Sequence, residues 1–395
     1  MIHRVAPCIA TLIMLAVGCA SKPAPTPTVV RFATFNASLN RDTQGQLARD
    51  LSTPDNQQAR NVAEVIQRVR PDVLLINEFD YEDRSDAPAL FQQNYLSVPQ
   101  NGAQSIEYPY RVYLPVNTGV FSGHDLDNDG KVVTEVGSRG YGNDCFGFGQ
   151  FPGQYGMLLL SKYPLWPELS MQELLWKDLP AASLPTKSDG SAWYTNEELN
   201  VLRLSSKSHL VVSVAFDWKV IYVLASHPTP PAFDGPEDRN GKRNHDEIRL
   251  WKDYLDGKLP QRFPGWSFVI MGDLNADPND GGSVPGAIQQ LLDHPKVDGK
   301  FVPRSAGGTE ASSRDGGNNA SHKSQPDEDT ADFGDTGNGP GNLRCDYVLP
   351  SKDLKVLGGA VFWPPSSDPL HRLVEMKPTA ATSDHRLVYI DVQLP

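Results

Sequence analysis

The sequence predicts an α/β sandwich built on mixed β-sheets, and three observations carry that prediction. Apolar, β-rich runs alternate with stretches of helical periodicity along the chain. Two of the runs, 209–217 and 219–226, are separated too briefly for a crossover helix and must pair as an antiparallel hairpin, which disfavours a purely parallel sheet. The hydrophobic fraction of 39%, with 13 Tyr, 15 Phe and 7 Trp in 395 residues, suffices for one large core, and no composition break cuts the chain in two.

The N-terminal stretch "MIHRVAPCIATLIMLAVGCASKP" sets Arg4 ahead of an apolar run of secretory length that closes on small residues. The run is too short for a transmembrane helix. Its end, "LAVGC", resembles a bacterial lipobox, with Ala16 where Leu is usual. The resemblance implies a signal peptide over 1–19 and lipidation of Cys19. A multi-chain lipid would anchor the protein firmly at the outer membrane or periplasmic face of a bacterial envelope, whereas without it the protein is secreted. Residues 20–28, with "KPAPTPT", read as an extended tether, and 29–395 as one folded domain.

In that domain "VVRFATFNASL" alternates as a strand, and Val62, Val65, Ile66 and Val69 recur at helical spacing before Pro71 stops the helix. "VLLINEF" follows as a buried strand. Further strands are expected at "GMLLLS", "HLVVSVAFDW", "VIYVLASH", "SFVIMGDLN", "CDYVLP" and "HRLVYIDVQL", with helices over 244–255 and 284–292. Residues 305–342 are rich in Gly, Ser, Asn and Asp and read as a long polar loop with little core. In "HDLDNDGKVVTE", Asp125, Asp127 and Asp129 match the opening of a Ca²⁺ loop, but the acid at its twelfth position is missing, with Glu135 one place early. Cys145 and Cys345 either pair or stay as buried thiols; neither has zinc-site spacing.

The chemistry-bearing residues gather at strand ends. "MGDLNADPNDGG" sets Asp273, Asn275, Asp277 and Asp280 where a buried strand should stop. A turn accounts for Asp277 and Asp280. It does not account for the same pattern elsewhere: Asn36, Glu78, His227, Asp346, and Asp384 with His385. Strand ends that converge at one edge are where α/β sheets build sites.

In this order, "FATFN", "NEFD", "GMLLLSKYP", "SH", "GDLNADP", "DYVLPS" and "SDHRLV" resemble the endonuclease/exonuclease/phosphatase superfamily over roughly residues 29–394. The resemblance implies a deoxyribonuclease I-like fold, a four-layer α/β sandwich of two mixed β-sheets flanked by helices. It also implies roles. Glu78, Asn36 and Asp384 match the surroundings of a divalent metal, Mg²⁺ or Mn²⁺. Asp273 matches the residue that orients or deprotonates the attacking water, and Asn275 and His385 match phosphate contacts. Asp346 matches the carboxylate that fixes His385, and His227 matches an acid on the leaving oxygen.

That set suits phosphoester hydrolysis, which needs charge neutralised on the phosphoryl oxygens, an in-line water and support for the leaving oxygen. The implied partner is a phosphoester, whether a small ester, nucleotide, nucleic acid or lipid head group, and the expected state is a monomer. A net charge of −12 opposes non-specific binding of polyanions, and there is neither a basic-aromatic stripe nor a long apolar loop. The reading is therefore a phosphodiesterase or phosphatase, with an extracellular endonuclease as the rival. A non-catalytic, calcium-binding surface lipoprotein is the reading from another class.

Overall fold

The computed structural model describes residues 28–217, 219–376 and 380–394. The expected signal peptide, Cys19 and the tether up to residue 27 lie outside them. Thirteen described strands run along the chain. They are β1 (Val29–Leu39), β2 (Val73–Phe79), β3 (Tyr110–Tyr113), β4 (Met157–Ser161), β5 (Leu165–Ser170), β6 (His209–Phe216) and β7 (Lys219–Ser226). They continue with β8 (Phe268–Asp273), β9 (Ala331–Asp332), β10 (Asn342–Leu343), β11 (Asp346–Pro350), β12 (Lys355–Val361) and β13 (Val388–Gln393).

Two mixed sheets form the body, in strand orders β12-β13-β1-β2-β4-β3 and β11-β8-β7-β6-β5. β1 pairs parallel with β2 and antiparallel with β13. The predicted hairpin is β6–β7, antiparallel, and β7 continues parallel to β8. Alternation within the strands divides their side chains between layers. Phe32, Val73 and Leu75 of the first sheet meet Val212, Val223, Val269 and Met271 of the second in the central core. Ala33, Phe35, Leu74 and Ile76 turn outward onto the helix Gln57–Val69. Phe268, Ile270 and Leu224 turn outward onto the helix Arg239–Leu255. Strands covered on both faces explain why their sequences are continuous apolar runs.

Local signals set the first helix. The Asn56 side chain accepts from the Ala59 N–H, and Arg70 closes the helix in a left-handed turn ahead of Pro71. The second long helix starts at Arg239, five residues before the expected 244. The helix expected over 284–292 is only Gln289–Leu292, because Pro285 and Gly286, at φ 85°, precede it. β3, β5 and β12 were not legible as strands. Each lies at or near a sheet edge, where half-exposed residues and Pro167 weaken the alternation.

Residues 305–342 correct the loop expectation. They hold a helix, Ala306–Asp315, short 3-10 turns and the β9–β10 ribbon. With few large apolar groups, the segment is fastened by hydrogen bonds, each contributing about 1 kcal/mol net. Thr330 accepts from Arg386 N–H and its hydroxyl donates to Asp346, while Asp332 N–H donates to the Asp384 carbonyl. Cys145 and Cys345 are free and buried, and burial pushes the Cys145 thiol up to about 12. Among the described residues no helix is long and apolar enough to cross a membrane.

Candidate active site

The ends of β1, β2, β7, β8 and β11 bring the strand-end residues together. β1 carries Asn36 and β2 carries Glu78; β7 ends one residue before His227. β8 and β11 set Asp273 directly opposite Asp346. Asp384 and His385 lead into β13, and a bridge ties His385 to Ala331. A side-chain carbon at Gly272 would lie 1.9 Å from the Ser226 carbonyl oxygen, so glycine is required where β7 and β8 bring His227 to Asp273.

Asp273 is the centre of the site. Its Oδ2 accepts from Asn36 Nδ2 at 3.0 Å and lies 3.4 Å from His227 Nε2 and 3.7 Å from His385 Nε2. Its Oδ1 accepts from the Asn275 N–H at 3.0 Å. Asp346 Oδ2 receives His385 Nδ1 at 2.8 Å and the Thr330 hydroxyl at 2.8 Å, while its Oδ1 is buried with no partner among the described residues. Asn275 donates through Nδ2 to the Pro228 carbonyl at 3.1 Å, joining the loops after β7 and β8. Glu78 and Asn275 both take left-handed backbone, at φ 59° and 51°. For Glu78 that strain costs on the order of 1 kcal/mol, and such strain clusters at functional sites.

Glu78 accepts from Asn40 Nδ2 at 2.7 Å, and Asp384 Oδ1 accepts from the Ser38 hydroxyl at 3.3 Å. Burial, and then the Asp384 carboxylate, push Glu78 up despite a hydrogen bond from Asn36. Two carboxylates and an amide oxygen are hard oxygen donors, so the chemistry of Glu78, Asp384 and Asn36 fits Mg²⁺ or Mn²⁺. Asp273, Asp346 and His385 also offer ligand atoms within 4.8 Å of one another. In that group His385 Nδ1 is already hydrogen-bonded to Asp346 Oδ2 at 2.8 Å.

Burial opposes a charge on His385, but the Asp346 and Asp273 carboxylates outweigh it and hold the ring well above its usual value. Burial pushes Asp273 up to about 7, with the His385 cation pulling the other way. A carboxylate poised near neutrality suits a general base. His227 goes the opposite way: burial, then the Lys207 and His385 charges, keep it neutral. Its approach to Asp273 is therefore no ion pair, and it lacks the cationic proton expected of an acid.

Asp125 and Asp127 form a separate group with Asp144 rather than with Asp129. Asp129 instead accepts from Lys131 N–H, and the cluster's carboxylates hold backbone N–H groups of the loop. Asp277 is a tie, as its turn reading suggested, accepting from Asn279, Asp280 and Arg344 N–H groups. Sequence reasoning missed Lys207, Asn40 and Thr330. A lone Lys in "LSSKSHLVV" carries no pattern, and Thr330 lay in the segment read as a loop.

The profile of the Endonuclease/Exonuclease/phosphatase family matches residues 33–385. The chain belongs to that family. It is accordingly a hydrolase of phosphoester bonds, and members of the endonuclease/exonuclease/phosphatase family generally use divalent metals. No curated relative matches the chain. Similar solved structures include an endonuclease/exonuclease/phosphatase from Beutenbergia cavernae, 18% identical over 93% of this chain and 72% of that one, with a TM-score of 0.49. A beta toxin from Staphylococcus aureus is 14% identical over 91% of this chain and 99% of that one, at 0.45. An AP endonuclease from Archaeoglobus fulgidus is 13% identical over 92% and 100%, at 0.42.

Proposed function

We propose that the protein is a divalent-metal-dependent phosphoester hydrolase of phosphodiesterase or phosphatase type, working at a bacterial envelope through a lipid on Cys19. The observation that carries the catalytic part is the split between two carboxylates on paired strands. Asp273 is raised to about 7 and free to take a proton, whereas Asp346 is committed to holding His385 cationic. Glu78, Asn36 and Asp384 would hold Mg²⁺ or Mn²⁺, which supplies charge neutralisation at the phosphoryl oxygens. Asp273 takes the proton of the attacking water, which Asn36 and Asn275 help to keep in place by fixing the carboxylate. The His385 cation and the remaining Asn275 N–H face phosphoryl oxygens.

The net charge of −12 favours a small ester or nucleotide over a long polyanion. The test is hydrolysis of an aryl phosphodiester and the matching monoester with Mg²⁺ or Mn²⁺, by protein starting at Ser21, with Asp273→Asn alongside. Metal-dependent cleavage lost in the variant is the expected result. Nicking of plasmid DNA at a higher rate than either small ester would replace this reading with the endonuclease. Lack of any turnover would count against the roles assigned above.

A further inference from the structure

The leaving oxygen needs support, and the residue expected there, His227, is neutral. Its Nε2 faces Asp273, and its buried Nδ1 has no partner among the described residues. The His385 cation, held by Asp346 at Nδ1 and lying 3.7 Å from Asp273 at Nε2, is assigned above to the phosphoryl oxygens rather than to the leaving oxygen. Lys207 is different. It sits just ahead of β6 with 6% of its surface exposed, and among the described residues its ammonium, which is not one of the enclosed polar atoms, makes neither a hydrogen bond nor an ion pair. The methylene stem is covered while the ammonium opens to solvent, which leaves its three donors free for a ligand.

The chain holds Lys207 there firmly. Asn117 N–H donates to the Lys207 carbonyl at 2.9 Å, and Asn117 Nδ2 donates to the Ser205 carbonyl at 2.8 Å. Glu247, wholly buried, accepts from the Ser206 N–H and from the Thr229 N–H, both at 2.6 Å. One carboxylate thus links the residue before Lys207 to the residue two beyond His227. A side-chain carbon at Gly147 would lie 2.0 Å from the Ser206 carbonyl oxygen, so that loop presses on the same backbone. Burial pulls the Lys207 pKa down while the Glu247, Glu78 and Asp273 carboxylates oppose the fall, and its charge in turn bears on His227, as expected of a side chain that extends from this backbone toward the site.

We propose that Lys207 is a catalytic residue whose ammonium donates hydrogen bonds to the leaving oxygen, in the place where His227 was expected to act. The inference rests on the phosphoester-hydrolase reading above. As the water oxygen bonds to phosphorus, Asp273 takes the water's proton and the bond from phosphorus to the leaving oxygen breaks. Its electron pair stays on that oxygen, where the Lys207 N–H groups stabilise the charge until solvent protonates it. Three unspent donors on a cation whose backbone is held in place suit this task.

The experiment compares Lys207→Met and Lys207→Arg with the wild type on two phosphodiesters, one with a nitrophenol and one with an alkyl alcohol as leaving group. A nitrophenolate needs little stabilisation and an alkoxide a great deal. Lys207→Met should lower kcat/KM about 10²–10³-fold for the alkyl ester and less than about tenfold for the nitrophenyl ester. Lys207→Arg should recover part of the alkyl loss. A thermal melt separates this from a folding role: Met keeps an apolar stem of similar length and removes an ammonium that has no partner among the described residues, so the variant should melt no lower than the wild type. Equal losses on both esters, or none, would overturn the proposal while leaving the hydrolase reading intact. A wild type inactive on both esters would overturn both together.

Discussion

Replacing Asp346 by Asn tests whether that carboxylate works through the charge on His385. The 2.8 Å contact from His385 Nδ1 is buried and charge-assisted, and such a bond contributes about 1.5–3 kcal/mol. One pKa unit corresponds to about 1.4 kcal/mol, so His385 should fall by about one to two units in Asp346→Asn. If the imidazolium contributes like one preorganised donor, turnover above its new pKa should drop about 10²–10³-fold. The assay is the pH profile of kcat/KM on an aryl phosphodiester with saturating Mg²⁺. The falling limb should move to lower pH, and the two enzymes should converge in acid, where both rings are cationic. Stability follows the same sign. A His raised by the fold stabilises it fully below the unfolded pKa of about 6.5, and that contribution is lost as pH rises through the folded value. The gap in melting temperature should therefore be widest in acid and narrow in alkali. A falling limb that stays in place while the rate drops equally at every pH would refute the argument.

Four other outcomes follow from the structure. Glu78→Gln should abolish Mg²⁺ binding in calorimetry and raise the melting temperature at pH 8. Burial raises the folded Glu78 pKa, so its ionised form costs stability once pH exceeds the unfolded value of about 4.3. In metal-free protein the Asp273 carboxyl should titrate near pH 7 by carbon-detected NMR and move to lower pH when Mg²⁺ is added; a titration near 4 without metal would contradict its desolvation. Ile270→Val, on the wholly buried outer face of β8, should cost about 0.5–1.5 kcal/mol in urea unfolding without changing kcat. Phe233 is 79% exposed at φ 68°, so Phe233→Gly should stabilise by about 1 kcal/mol as left-handed strain is relieved; a loss of stability would mean that its side chain packs more than its exposure indicates.

Much of the site was legible because its residues stand out locally. Glu78, Asp273 and Asp346 stand at or beside the ends of apolar runs and Asn36 lies buried within a strand, and a buried strand has no reason of its own to end on an acid. Lys207 and Thr330 interrupt nothing, so no local signal marks them. The Ca²⁺-like loop shows how spacing and tertiary grouping differ. A spacing that matches a pattern grouped Asp125, Asp127 and Asp129, but the backbone turns Asp129 away and a helix end supplies Asp144.

By itself the sequence determined the α/β class, the first long helix with its stop, the β6–β7 hairpin and the set of polar strand ends. Each of these rests on periodicity, turn chemistry or chain connectivity over a few residues. Only the tertiary structure decided what those residues do to one another. The Asp273–Asp346 register, separated by 73 positions along the chain, puts two chemically identical carboxylates side by side. Burial raises one to about 7 and a cationic histidine claims the other. Protonation depends on desolvation and on charges a few ångströms away, and both exist only after the two sheets have packed.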